Sequence, residues 1–220
     1  RYTHEGNNQR SLSSNFILSV FEDKNNMIWI GTLTGVNSWD PRMATFSQHS
    51  AQTNDNIINS NVTSFAQFKN GMVLFSTYSG GIYQFSVKDI EIYRLDLNQY
   101  FSELRIMTLL ADPDSDTLWV GTRGSGLFKI DLKSKNIIKY QHEVNNPRSI
   151  SANSITDIIK DQQGNIWVST FQQGLNKLNA DGGFTRFTQN DSASKQSISS
   201  NHILHLLEDH DGYLWIATYG

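Results

Sequence analysis

The sequence predicts an all-β chain: a β-propeller of four-stranded antiparallel blades, here about four and a half of them. Three observations carry that prediction. A five-residue phrase recurs, as IWIGT at 28–32, LWVGT at 118–122, IWVST at 166–170 and LWIAT at 214–218, with a weaker copy, VLFST, at 73–77. Its anchor positions, Trp29, Leu74, Trp119, Trp167 and Trp215, stand 45, 45, 48 and 48 residues apart, and a period in the forties denotes a propeller or solenoid of stacked supersecondary units. Between anchors, short apolar runs alternate with Asp, Asn and Gly turn signals at strand spacing.

The fourth unit shows the plan. SANSITDIIKD (151–161) predicts a first strand with apolar Ile155, Ile158 and Ile159, and QQGN predicts a turn. IWVST is apolar on both faces, as a strand buried between two sheets should be. Gly174 leads into a third strand, and FTRFT (184–188) alternates like a partly exposed outer strand. Four short strands joined by turns make a meander, which is one blade.

The other units align onto it. First strands start after Asn15, Asn61, Asn153 and Asn201, with Leu104 at that position in the third unit, and end at Asp23, Lys69, Asp112, Asp161 and Asp209. Third strands follow Gly35-Val36, Gly81-Ile82, Gly126-Leu127 and Gly174-Leu175, and fourth strands carry Phe46, Tyr93, Tyr140 and Phe187. The expected segments are an outer strand of a preceding blade at 1–9, blades at 10–54, 55–98, 99–147 and 148–195, and the two inner strands of a last blade at 196–220. Arg1–His4, RYTH, is read as that outer strand from its likeness to IKYQH at 138–142. With Lys69 for Asp and Leu74 for Trp, the second blade is expected to be irregular. The segment reads as a piece of a longer protein.

Composition excludes several classes. Apolar runs of four or five residues are far too short to span a bilayer. A net charge of −3 with interspersed signs gives no nucleic-acid footprint. The absence of cysteine removes disulfides, thiol nucleophiles and zinc-thiolate sites. No His cluster has metal-ligand spacing, and no nucleophile elbow is present. No catalytic residue, metal or cofactor is therefore expected.

The repeated residues are first read structurally. Trp29, Trp119, Trp167 and Trp215 should fill the space between neighbouring blades. Asp-x-x-Gly is hairpin chemistry, with Asp bonding its own backbone and Gly taking positive φ. The Ser-Asn pairs should tie down the loop entering each inner strand.

Specificity is expected on loops of one face. The residue after each repeated Thr varies: Leu33, Tyr78, Arg123, Phe171 and Tyr219. Aromatic planes with hydrogen-bonding neighbours suit sugar rings, and an Arg suits a carboxylate or sulfate. Arg105 and His202, at the starts of inner strands, open on the same face. The candidate ligand contacts are thus Tyr78, Arg123, Phe171, Tyr219, His202 and Arg105; the alternative is exposed turns or packing against a neighbouring domain. Four residues past the Asn position come Ser19, Phe65, Thr108, Asp157 and His205. Inner strands line a propeller's channel, so Asp157 and His205 should be neighbours there, either as an acid/base pair or as a channel lining.

Written as N-x-I-x-x-I-x-x-D-x-x-G-x-L-W-I-G-T followed by G-L, the units resemble the two-component regulator propeller repeat. The resemblance runs through nearly the whole chain and departs most in the second unit; the first has Asn26 where Gly is usual. It implies the periplasmic sensor of a one-chain hybrid two-component system of Bacteroides type: two seven-bladed propellers, a β-sandwich domain, one membrane span outside this segment, and a histidine kinase. It implies detection of glycan-derived oligosaccharides and regulation of transcription. Implied partners are an oligosaccharide, the remaining propeller and sandwich domains, and a second copy as a homodimer. The competing readings are a propeller glycoside hydrolase or lyase built on Asp157 and His205, and a pure interaction scaffold.

Overall fold

The computed structural model describes residues 1–49, 61–79, 81–86, 91–96, 98–101, 103–189 and 197–219. The expected blade junctions at 54/55 and 195/196 lie outside them. The chain divides into two compact units, Arg1–Ile106 and Met107–Gly220.

The first unit holds two four-stranded sheets of antiparallel neighbours. One is β1 (Ile17–Glu22), β2 (Ile28–Thr32), β3 (Gly35–Asp40) and β4 (Thr45–His49); the other is β5 (Val62–Gln67), β6 (Val73–Thr77), β7 (Gly81–Ser86) and β8 (Glu91–Arg94), followed by one helical turn, α1 (Asn98–Phe101). The second unit continues the pattern. Its sheets are β9 (Ile106–Ala111, whose first residue falls in the other unit), β10 (Thr117–Thr122), β11 (Leu127–Asp131) and β12 (Ile137–Tyr140); then β13 (Ile155–Lys160), β14 (Ile166–Thr170), β15 (Leu175–Leu178) and β16 (Phe184–Phe187); then the pair β17 (Ile203–Glu208) and β18 (Leu214–Thr218). Each sheet is a meander in chain order, which is the blade of a β-propeller. Among the described residues no helix is long and apolar enough to cross a membrane.

Cores form where one blade covers the next. Trp29 packs with Val62, Phe65 and Phe85 of the following sheet, its ring centroid 4.6 Å from that of Phe85. Trp119 packs with Ile155 and Ile158, and Trp167 with Ile203 and Leu206. The small fourth residue of the phrase has a matching cause. A Cβ on Gly31 would lie 2.7 Å from the Val62 carbonyl oxygen, and one on Gly121 would lie 2.7 Å from Ile155 Cγ2. The next blade's inner strand passes directly over this position, so it is Gly, Ser or Ala in every copy.

The turn Asp does more than close the hairpin. Asp23 Oδ1 accepts from the amides of Asn25 and Met27, while Oδ2 accepts the indole N–H of Trp29 at 3.0 Å. Asp161 accepts from Trp167 at 2.8 Å and Asp209 from Trp215 at 2.6 Å. Six residues separate the partners each time. The third unit has seven, from Asp112 to Trp119; there the Trp119 N–H is buried without a partner, and Asp112 takes Lys160 Nζ at 2.7 Å.

Four expectations need correction. The second blade is regular, and its frame is shifted by one. The Phe68 amide donates to the Met72 carbonyl as the Asp23 amide does to that of Met27, so Phe68, not Lys69, stands at the Asp position. Asp and Trp are thus replaced together by Phe68 and Leu74, both buried, an apolar substitute for a polar pair. By the same shift Ser64, not Phe65, is equivalent to Ser19, Asp157 and His205, each lying just past a β-bulge. Arg1–His4 forms no strand; Tyr2 instead sets its ring against Trp39 and Phe46. Finally, Trp215 is 62% exposed, with no sheet packed upon its face among the described residues.

Candidate functional site

The loop face is built by one recurring contact. After four of the five repeated Thr the next residue donates its N–H to the carbonyl of the residue preceding β1, β5, β13 or β17: Leu33 to Phe16 (3.2 Å), Tyr78 to Asn61, Phe171 to Ser154, and Tyr219 to His202 (2.9 Å each). This bond pins both ends of the inner hairpin and fixes where their side chains emerge.

Those side chains also meet the next blade. In the first unit the Arg105 guanidinium lies 5.7 Å from the Tyr78 ring centroid, a cation–π contact across the junction before β9. In the second unit Phe171 stands edge-on to His202, with centroids 4.1 Å apart, and His202 in turn lies 5.2 Å from Tyr219. Arg123 is exposed on the same face and bridges Ser154 through its backbone. Of the six candidate contacts, Phe171, His202 and Tyr219 therefore meet in the second unit, and Tyr78 meets Arg105 in the first. Phe171 and Tyr219 are exposed, while His202 Nε2 is buried with no partner. Two open aromatic planes around an imidazole can take a flat, partly apolar molecule with hydroxyl or amide edges.

Asp157 and His205 are brought together, with Nδ1 2.6 Å from Oδ2. The carboxylate's role is fixed by its other partners. Asp157 is buried, and it also accepts from Thr108 Oγ1 (3.2 Å), the Ile158 amide (2.8 Å) and the Leu206 amide (2.8 Å). Bonding to Asp157 raises the pKa of His205. A carboxylate holding four donors from three successive blades stitches strands and has no lone pair free for substrate. At the equivalent inner-strand positions, Ser19, Ser64, Thr108, Asp157 and His205, it is the one carboxylate. The paired carboxylates that inverting glycoside hydrolysis requires are missing from these positions.

Sequence reasoning missed a repeated linker. HEGNNQRSLSSN (4–15) and HEVNNPRSISAN (142–153) fold alike. The amide of His4 or His142 donates to Asn15 or Asn153 Oδ1 at 2.7 Å, and Glu5 or Glu143 accepts from Asn8 or Asn146. A fully buried strand-three amide, Asn37 or Asn176, receives the N–H of Ser13 or Ser151 and donates to its hydroxyl. The shared pattern H-E-x-N-N-x-R-S was the available signal. Beside the second copy lies a cleft of about 400 Å³, where Arg148 pairs with Asp181.

Comparison with known proteins agrees with this architecture. Residues 11–34, 149–172 and 197–220 match the family described as Two component regulator propeller. Among solved structures the chain is similar to the extracellular domain assigned to the hybrid two component system BT3049 from B. thetaiotaomicron. The identity is 24%, 99% of this chain and 28% of that one are covered, and the TM-score is 0.77. It is also similar to the extracellular domain of BT4673 from the same organism, at 22% identity, 94% and 33% coverage and TM-score 0.63. The β-propeller domain of Cps50 (Swd1) from Myceliophteria thermophila aligns at 15% identity, 94% and 63% coverage and TM-score 0.65. A search of curated proteins finds no match. The chain spans about a third or less of the two extracellular domains.

Proposed function

Because the chain carries two-component regulator propeller repeats, we propose that it is part of the periplasmic sensor region of a hybrid two-component histidine kinase and response regulator. In this reading it binds and transmits and does no chemistry. The observation that carries it is the recurrence of that repeat in register, on blades whose fold is shared with the extracellular domain assigned to a hybrid two component system. The full commitment of Asp157 to strand-stitching bonds supports the non-catalytic part.

The ligand class is a glycan-derived oligosaccharide, and its occupation regulates transcription through domains outside this segment. Phe171 and Tyr219 supply exposed planes for the apolar faces of sugar rings, and the His202 ring lies between them and holds both in place. Titration calorimetry of the chain against a panel of glycan oligosaccharides tests this. Binding by at least one member is expected, weakened about tenfold by Phe171→Ala or Tyr219→Ala. Silence across the panel, or affinity untouched by both substitutions, would contradict it.

A further inference from the structure

We propose that the turn between β5 and β6 is a site of spontaneous covalent modification: the Gly71 amide nitrogen closes on the Asn70 side-chain amide, and the product loosens the clasp between the first two blades. Such a cyclisation needs an asparagine side chain held against the next residue's nitrogen, and no side chain on that residue to block the approach. Among the described residues, three asparagines accept the amide two positions on: Asn8 from Arg10 (2.9 Å), Asn146 from Arg148 (3.0 Å) and Asn70 from Met72 (2.9 Å). The ring closed by that bond contains both Cγ and the intervening nitrogen, and the accepted proton draws electrons away from Cγ. The intervening residue separates the three. It is Gln9 after Asn8, with a side chain in the way, and Pro147 after Asn146, with no N–H to give up. After Asn70 it is Gly71, in the one Asn-Gly pair of the sequence. Gly71 has φ +91°, nothing lies within 4 Å of where a Cβ would stand, and Asn70 is exposed.

In the reaction the bond from Cγ to the Gly71 nitrogen forms, the Gly71 N–H proton passes to solvent base, and the Cγ–Nδ2 bond breaks with release of ammonia. Water then opens the cyclic imide at either carbonyl. Attack at Cγ leaves aspartate. Attack at the main-chain carbonyl leaves isoaspartate, whose backbone runs through the former side chain and is one methylene longer. The turn is closed by two bonds, from the Phe68 N–H to the Met72 carbonyl (3.0 Å) and from the Gly71 N–H to the Phe68 carbonyl (2.9 Å). The second must open before the nitrogen attacks, which at a hairpin tip is a local event. The same turn receives the first blade. Lys24 gives its amide to Gln67 Oε1 (3.0 Å) and its ammonium to the carbonyls of Phe68 (3.2 Å) and Lys69, while Gln67 Nε2 donates back to the Gly71 carbonyl (3.3 Å). A longer backbone at residue 70 therefore pulls the carbonyls that hold Lys24 out of place.

Incubation of the folded chain at mildly alkaline pH, followed by peptide mapping with mass spectrometry, tests the proposal. Asn70 is expected to convert to a mixture of isoaspartate and aspartate while Asn8 and Asn146 stay intact. The mixture is the signature of a cyclic imide, since direct hydrolysis would give aspartate alone. The converted chain, isolated by ion exchange, should melt at a lower temperature than the fresh one. Asn70→Gln, whose longer side chain would have to close a larger ring, should neither convert nor lose stability over the same incubation. Fresh Asn70→Asp, which carries the charge without the longer backbone, should melt no lower than the fresh parent. Three results would overturn the proposal: Asn70 converting in urea but staying intact in the folded chain, aspartate appearing without isoaspartate, or a converted chain that melts together with the fresh one.

Discussion

At the scale of single residues, the most informative are those that break the repeat. The indole N–H of Trp29 bonds a buried carboxylate, whereas that of Trp119 bonds nothing. Trp29→Phe should therefore cost about 2 kcal/mol more than the packing loss alone, the usual worth of a hydrogen bond to a charged group, while Trp119→Phe should lose packing only. Urea unfolding of both variants measures the difference. Two histidines carry opposite pH dependence. Burial against Trp29 and Phe85 depresses the pKa of His49 to about 4. The unfolded chain then binds the proton more readily, so His49 contributes stability present above about pH 6.5 that is lost as pH falls toward 4. His205 is raised by Asp157, so its contribution is full below about pH 6.5 and lost as pH rises through the folded value. In an NMR titration of the imidazoles, Asp157→Asn should lower the His205 midpoint and leave that of His49 in place.

At the scale of the element, the blade plan was legible because strand periodicity, turn residues and a fixed period agree. Trp at 29, 119, 167 and 215 marked second strands, and all four are found there. The one-residue frame error in the second blade has a physical cause. Asn61 mimics the Asn15 position, yet the strand begins one residue after it rather than two. The six-residue Asp-to-Trp spacing, with its joint loss at Phe68 and Leu74, was visible as a pattern. Its meaning as an indole–carboxylate bond needed three-dimensional placement. Within turns, glycines differ in what they tolerate. Gly174 has φ +77°, and a Cβ there would lie 2.3 Å from the Phe187 carbonyl oxygen; Gly212 has φ +82° and open space. Gly174→Ala should destabilise by about 2 kcal/mol or more, and Gly212→Ala by about 1, the bare cost of a left-handed Ala. Thermal melts of the two variants separate clash from backbone strain.

At the scale of the whole molecule, a repeat is stable through what its neighbours cover. That principle made the fold readable and the site only partly so. The residues after each Thr were picked out because they vary inside a strict framework, yet their clustering depended on which blades adjoin, as where Phe171 reaches His202. Trp215, on the last pair of strands, is exposed where the other three repeated indoles are buried or half-buried, although its place in the repeat is the same.

The central claim is that each blade's indole is buried by the blade that follows. ¹⁹F NMR of the chain labelled with 5-fluorotryptophan, recorded in H₂O and D₂O at low protein concentration, reads it at each position. The account predicts no solvent isotope shift at Trp29 and Trp119, an intermediate one at Trp167 and a full one at Trp215. A full shift at Trp29 or Trp119, or equal shifts at all four, would contradict it.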